Sequence, residues 1–209
     1  MMSKVVHVIG NGDMSSLYHL EKRHGMKLTC NIPPFAVPDA YCTFMVDFKI
    51  MNAITQGEVE VPGEWIVGMR PKIWMDKNPT FYIKRAHQIK EFYTHLPKYA
   101  KNYTDFNCGH MAVHYACNKI LATEVHMYGF DSIFDFNLRS SSDFYLSSLR
   151  DNTHSNKLKS EWRPLWEHIF NEFSHTQFKL YHNHSNIKIN LPKNASVVVG
   201  SPKDVKIKD

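Results

Sequence analysis

Two glycines flank an asparagine at Gly10-Asn11-Gly12, directly after the apolar run "KVVHVI" and before a run with helical character. A turn of this composition lets backbone approach a phosphate closely, and the N–H groups at the start of a following helix suit an anion. The GxGxxG dinucleotide fingerprint asks for a further small residue at about Ser15. It also asks for an acidic residue at the end of the second strand, which here closes with Cys30-Asn31. A plain dinucleotide site is therefore disfavoured. On these residues alone the stretch reads equally as a ligand cradle and as a structural turn.

The thirteen histidines raise a second possibility, metal ligation. His110 and His114 stand one helical turn apart, and His182 and His184 flank Asn183. There is no HExxH, and no carboxylate lies near either pair in sequence, so surface or core histidines are the plainer reading and no metal is expected. His154, in "RDNTHSNK", sits in a polar stretch just before a helix. An unperturbed imidazole titrates near pH ~6.5, which suits a general base, although a solvated loop histidine explains the same residues. No nucleophile elbow, P-loop or catalytic cysteine signature is present.

These residues need a frame to hold them. A chain of 209 residues, 43% hydrophobic, is long enough for one well-packed domain, here expected to span residues 1–209. No window approaches the length of a transmembrane segment, the N-terminus has too short an apolar core for a signal peptide, and a cytoplasmic location is expected. Cys30, Cys42, Cys108 and Cys117 form no CxxC pair and read as reduced. The net charge of +5 comes without a dense Lys/Arg run, which disfavours nucleic acid and suits small anionic ligands.

The elements follow from periodicity. "KVVHVIG", a helical segment at 15–23 and the strand "MKLTC" make a β-α-β unit, which points to an α/β fold with a mainly parallel sheet flanked by helices. Next come a proline-rich loop, the strand "CTFMVD", a short helix at 48–55 and the strand "EWIVGM". A polar loop at 71–79, the run "FYIK" and a helical stretch at 87–101 complete the first half. The clearest helix, "GHMAVHYACNKILA", leads into the strand "EVHMYGFD". Residues 132–155 are serine-rich and read as a long, lid-like loop with room for one short helix. The helix "KSEWRPLWEHIFNEF" and the strand "FKLYHNH" follow. Ligands of such a sheet bind at the carboxyl ends of its strands, and the first strand ends at Gly10-Asn11-Gly12.

The order of these pieces resembles the bacterial lipooligosaccharide sialyltransferases. It is carried by "GNGDMSS", "NCGHMAVHYACNKILATEVHMYGFD" and "THSNKLKSEWRPLWEHIFNEFSHTQFKLY", within a dispersed pattern over residues 5–186. The resemblance implies a Rossmann-like, nucleotide-sugar-binding variant of the GT-A glycosyltransferase fold. It also implies an inverting, metal-independent transferase without a separate cofactor, taking a sugar from a cytidine-monophosphate-activated (CMP-sugar) donor to a glycan acceptor. Asn11, Gly12 and Asn31 would contact the nucleotide, the backbone of Cys108 and Gly109 would face it, and Asp131 would lie below the same pocket. His154 would be the catalytic base.

Three positions depart from the family. Asp47 stands where it carries an asparagine near the donor, and a carboxylate there repels an anionic sugar unless paired. The two tyrosines that steady the leaving phosphate have no clean counterparts, Phe134 standing near one and Tyr145 matching the other. The alternatives are another nucleotide-dependent enzyme, a pyrophosphokinase or methyltransferase, or a non-catalytic nucleotide-binding protein on the same fold. The sequence leaves room for a homo-oligomer.

Overall fold

The computed structural model describes residues 4–21, 23–136 and 152–204, and only the backbone of 152–154. Runs rich in β-branched and apolar residues form eight strands: β1 Val5–Ile9, β2 Met26–Cys30, β3 Ala40–Met45, β4 Trp65–Val67, β5 Ile89–Phe92, β6 Glu124–Tyr128, β7 Gln177–His182 and β8 Ala195–Val199. They make one sheet in the order β5-β4-β3-β2-β1-β6-β7-β8, with every pairing parallel. The expected Rossmann-like α/β fold is thus present as a single domain, and its sheet is wholly rather than mainly parallel.

A parallel sheet needs cover on both faces, and alternating side chains meet that need here. Val6, Val8, Leu28, Phe44, Val125, Met127, Phe178 and Leu180 share one core with two helices, α4 (Cys108–Asn118) and α6 (Arg163–Glu172). On the opposite face a 3₁₀ helix, Asp13–Leu20, packs Leu17 against Ile9, Tyr128 and Tyr181. Farther along that face, α1 (Phe48–Thr55), α2 (Met69–Asp76) and α3 (Pro79–Arg85) cover Met45, Trp65 and Val67.

Several expected elements differ. The segment at 71–79 is mostly helix: Pro71 occupies the first turn of α2 and Pro79 opens α3, positions where a missing N–H costs nothing. The helix expected at 87–101 is instead strand β5 followed by irregular chain, because Pro97 interrupts any helix there and the register to β4 offers backbone partners. The first helix is a tighter 3₁₀ turn over Asp13–Leu20, with the Ser15 N–H donating to the Gly12 carbonyl at 3.1 Å. Within 132–155, a short 3₁₀ turn (Asp131–Ile133) buries Ile133 and Phe134, while helix α5 (Asn152–Lys157) starts earlier than expected. The middle of the lid-like loop lies outside the described residues. α5 runs through a wide π turn, Leu158–Trp162, into α6. Among the described residues no helix is long and apolar enough to cross a membrane.

His110 and His114 are core residues, as the plainer reading held. His110 Nε2 donates to the Trp162 carbonyl at 2.9 Å, and its Nδ1 accepts the Asn107 N–H at 3.2 Å. Desolvation lowers its pKa to about 3, against the carbonyl bond, which raises it. His7, on the polar side of β1, donates from Nε2 to the His24 carbonyl (2.8 Å) and accepts at Nδ1 from the Tyr128 hydroxyl (3.0 Å). Its burial pushes the pKa down to about 4.

Both imidazoles fold neutral, while in the unfolded chain they gain a proton below about 6.5. The stability they contribute is therefore present above pH ~6.5 and lost as pH falls through ~6.5 towards their folded values. For His7 the loss amounts to about 3 kcal/mol. The midpoint of urea unfolding should fall between pH 7 and 4, and His7→Gln, which keeps a donor towards His24, should show a shallower fall. An equal slope in both proteins would assign the acid sensitivity to other groups.

Candidate functional site

The strand order reverses between β1 and β6, since the chain builds outward from β1 through β2 to β5 and then returns to β6. Ligands of open parallel sheets bind outside the carboxyl ends of the strands at such a point. Two loops meet there, Gly10-Asn11-Gly12 after β1 and Gly129-Phe130-Asp131 after β6. The Gly10 N–H donates to the Tyr128 carbonyl at 2.7 Å, and the Gly12 N–H to the Gly129 carbonyl at 3.0 Å. A Cβ at Gly12 would lie 2.6 Å from both the Gly129 oxygen and the Asp131 Cγ. A Cβ at Gly129, whose φ is +74°, would lie 2.8 Å from the Ser15 Cβ. The glycines thus admit one loop to the other.

Asp131 occupies the start of the first 3₁₀ helix. Its carboxylate accepts the Met14 N–H at 3.2 Å, so the positive end of that helix is met by a side chain of the protein itself. The carboxyl is 4% exposed, and its pKa is pushed up to about 6. Desolvation is the main cause, and the nearby Asp13 and Asp135 charges act in the same direction. The backbone N–H groups of Met14 and Asp13 oppose them.

The other expected residues converge on the neighbouring strand ends. The Asn11 side chain donates from Nδ2 to the Ile32 carbonyl at 2.5 Å, crossing from the end of β1 to that of β2. Asn31 takes the left-handed conformation at φ 46°, accessible to asparagine, and its Oδ1 accepts the Val46 N–H at 3.3 Å. Asp47 caps α1 by accepting the Lys49 N–H at 3.0 Å. The Cys108 thiol donates to the Phe44 carbonyl at 3.0 Å, which ties the start of α4 to the end of β3. Burial holds that thiol well above its ordinary pKa, so it is no nucleophile. Gly109 packs on Phe130, whose ring carbon would sit 2.6 Å from an added Cβ. Asn11, Gly12, Asn31, Asp47, Cys108, Gly109 and Asp131 therefore all lie at the carboxyl-terminal edge of the sheet, along the ends of β1, β2, β3 and β6 and at the start of the eleven-residue α4.

Tyr145 and the side chain of His154 lie outside the described residues. The backbone of residue 154 belongs to α5, and two contacts anchor that helical run beside the start of α4. Lys157 Nζ donates to Asp105 Oδ1 at 3.1 Å, and the Trp162 carbonyl accepts from His110. Phe134, aligned with a leaving-phosphate tyrosine, is buried and stacked on the His182 ring at a centroid distance of 4.1 Å.

Arg163 and the carboxylate partner of His182 and His184 escaped the sequence reading. Arg163 holds the turn after β6 against α6 by donating to the carbonyls of Ser132 and Asp135, both at 2.8 Å. Asp135 accepts hydrogen bonds from His182 Nε2 and His184 Nε2, each at 3.1 Å. The spacing of His182 and His184 is visible in the sequence, but their carboxylate partner comes from 47 residues upstream of His182 and is invisible without the fold.

No family model, curated protein or solved structure matches the chain.

Gly12→Ala should lower unfolding stability by about 2–4 kcal/mol, because its Cβ meets a backbone carbonyl and a hydrogen-bonded carboxylate rather than a flexible side chain. Urea titration with circular dichroism measures it, and a loss under about 0.5 kcal/mol would show that the loops can part without penalty.

Proposed function

We propose that the chain binds a CMP-activated sugar and transfers the sugar to a glycan hydroxyl with inversion, as a sialyltransferase-like, single-domain glycosyltransferase. The observation that carries this reading is that Asn11, Asn31, Asp47, Cys108 and Gly109 all lie at the carboxyl ends of neighbouring strands and the start of α4. The resemblance puts the donor nucleotide at these positions. Asparagine side chains offer donors and acceptors together, as a ribose and a pyrimidine edge require. The positive end of α4 favours a phosphate beside Cys108 and Gly109.

In this mechanism the acceptor hydroxyl attacks the anomeric carbon from the face opposite the phosphate. The bond to CMP breaks through an oxocarbenium-like transition state, and the electron pair leaves with the phosphate. His154 takes the hydroxyl proton as the new bond forms, and one base suffices because the activated donor already carries a good leaving group. The helix terminus stabilises charge that grows on the departing phosphate. The Asp47 carboxylate lies among the same strand ends, just after β3, and it favours a donor sugar without a carboxylate of its own over a sialic acid.

A second reading, a nucleotide-binding protein that performs no transfer, is favoured by one observation. Asn11, Asn31, Asp47 and Cys108 all have partners inside the fold. The side chains that would face a ligand are also those that lace the strand ends together.

Calorimetric titration separates the possibilities. CMP should bind with micromolar to sub-millimolar affinity, Asn31→Ala should weaken it about tenfold, and ATP and S-adenosylmethionine should not compete. Hydrolysis of a CMP-sugar should fall about 100-fold or more in His154→Ala while CMP affinity is kept. Equal turnover in both proteins would remove His154 from the mechanism. Binding without turnover would support the second reading, and absence of cytidine-nucleotide binding would sink the proposal.

A further inference from the structure

We infer that Asp135, His182 and His184 form a binding site for a divalent first-row metal ion of the zinc type, with Asp131 as the acceptor that orients His182. Each residue offers one ligand atom, and the three atoms lie within 4.8 Å of one another. The His182 and His184 Nε2 atoms each stand 3.1 Å from an Asp135 oxygen. In a tetrahedral zinc site with bonds of about 2.0–2.1 Å, neighbouring ligand atoms are separated by about 3.3 Å. With Asp135 Oδ2 as the carboxylate ligand, two of the three separations, 3.1 Å to His182 Nε2 and 3.3 Å to His184 Nε2, are close to the edges of a coordination tetrahedron. A metal ion can replace the two shared protons without drawing the residues far from where they stand.

The rings are already held. His182, 2% exposed, ends β7 and stacks on Phe134 at an interplanar angle of 12°. His184 stands at 88° to it, with ring centroids 4.4 Å apart, so the two rings reach Asp135 from different directions. The Asp135 backbone is fixed by the Arg163 bond to its carbonyl at 2.8 Å. Side-chain exposures of 45% for Asp135 and 37% for His184 leave a side open for entry of the ion and for water as a fourth ligand.

The second, independent observation is an unsatisfied atom. His182 Nδ1 is buried and has no hydrogen-bond partner, yet it lies 3.9 Å from Asp131 Oδ1. With the Nε2 proton directed at Asp135, Nδ1 carries only a lone pair, and it faces a carboxylate. Metal at Nε2 reverses this: the proton moves to Nδ1 and can be donated to Asp131, the carboxylate–histidine–metal arrangement that raises ligand basicity. His184 undergoes the same tautomer change, and the Asn186 N–H that bonds its Nδ1 at 3.1 Å belongs to an exposed turn, where water can take up both groups. Each imidazole stays neutral and keeps one proton. Two histidines with one carboxylate suit Zn²⁺ and neighbouring transition ions rather than Ca²⁺ or Mg²⁺, which prefer all-oxygen sets.

Such an ion would join the turn after β6 to the end of β7. The site does not depend on the nucleotide reading, and its test involves no nucleotide. The full chain, stripped with a chelator, is titrated with Zn²⁺ against a chromophoric competitor. One equivalent should bind at sub-micromolar concentration and raise the melting temperature. Co²⁺ in its place should give the intense visible absorption of a tetrahedral site. His184→Ala and Asp135→Asn, both at partly exposed positions, should stay folded by circular dichroism, weaken zinc by about 100-fold or more and abolish the thermal shift. Asp131→Asn should weaken it by about 10–100-fold. Failure to take up one equivalent at micromolar zinc would overturn the proposal. So would unchanged affinity in both His184→Ala and Asp135→Asn, which would assign the zinc to other histidines.

Discussion

Two loops leave adjacent strands at the centre of the sheet and turn towards opposite halves of the molecule, and their backbones must pass within hydrogen-bonding distance of each other. This crossing constrains everything around it. Gly12 and Gly129 make it sterically admissible, and two inter-loop bonds, Gly10 to Tyr128 and Gly12 to Gly129, hold it. Asp131 completes it by meeting the start of the helix that the first loop feeds. The burial of a carboxyl is normally unfavourable; here the backbone donors and helix terminus offset part of that cost.

From this centre the polar side chains work outward along the strand ends. Asn11 reaches the β2 loop, Asn31 reaches β3, Cys108 joins β3 to α4, and His110 joins α4 to the wide turn before α6. The Asn11 and Asn31 bonds each take up a backbone group just past a strand end, where the ladder of the parallel sheet stops. The carboxyl-terminal edge of the sheet is therefore laced by hydrogen bonds that fix these side chains in direction.

Much of the frame was legible in the sequence because its strands are short, apolar and bounded by strong turn residues. β2 and α1 match the expected positions residue for residue, and the strand after the long helix begins at Glu124 as expected; the helix expected over 109–122 is α4, which stops at Asn118, four residues short, before Leu121 takes a left-handed φ of 59°. The failures have physical causes. Pro71 and Pro79 look like breakers unless one knows that they fall in first turns, and "HQIKEFYTHLPKYA" has helical composition but a proline that forbids the helix. Around the site, asparagines and glycines could be named from the motifs and the resemblance, but not their partners. Asn11 neither caps its own helix nor stands alone; it crosses to Ile32. His182 and His184 were weighed without a carboxylate because Asp135 approaches them only through the parallel pairing of β6 with β7.

The π turn at Leu158–Trp162 sets a helical phase. A π turn holds one residue more than an α turn, so α5 and α6, although continuous, are out of step by about 100° around their common axis. That offset puts Lys157 opposite Asp105 while Trp166 and Phe170 face the core. Deleting a single residue from the wide turn would restore an uninterrupted α-helix and turn everything before it, position 154 included, about a quarter of the way around the axis. The azimuth of that position relative to the start of α4 is thus encoded by the length of the five-residue turn between α5 and α6.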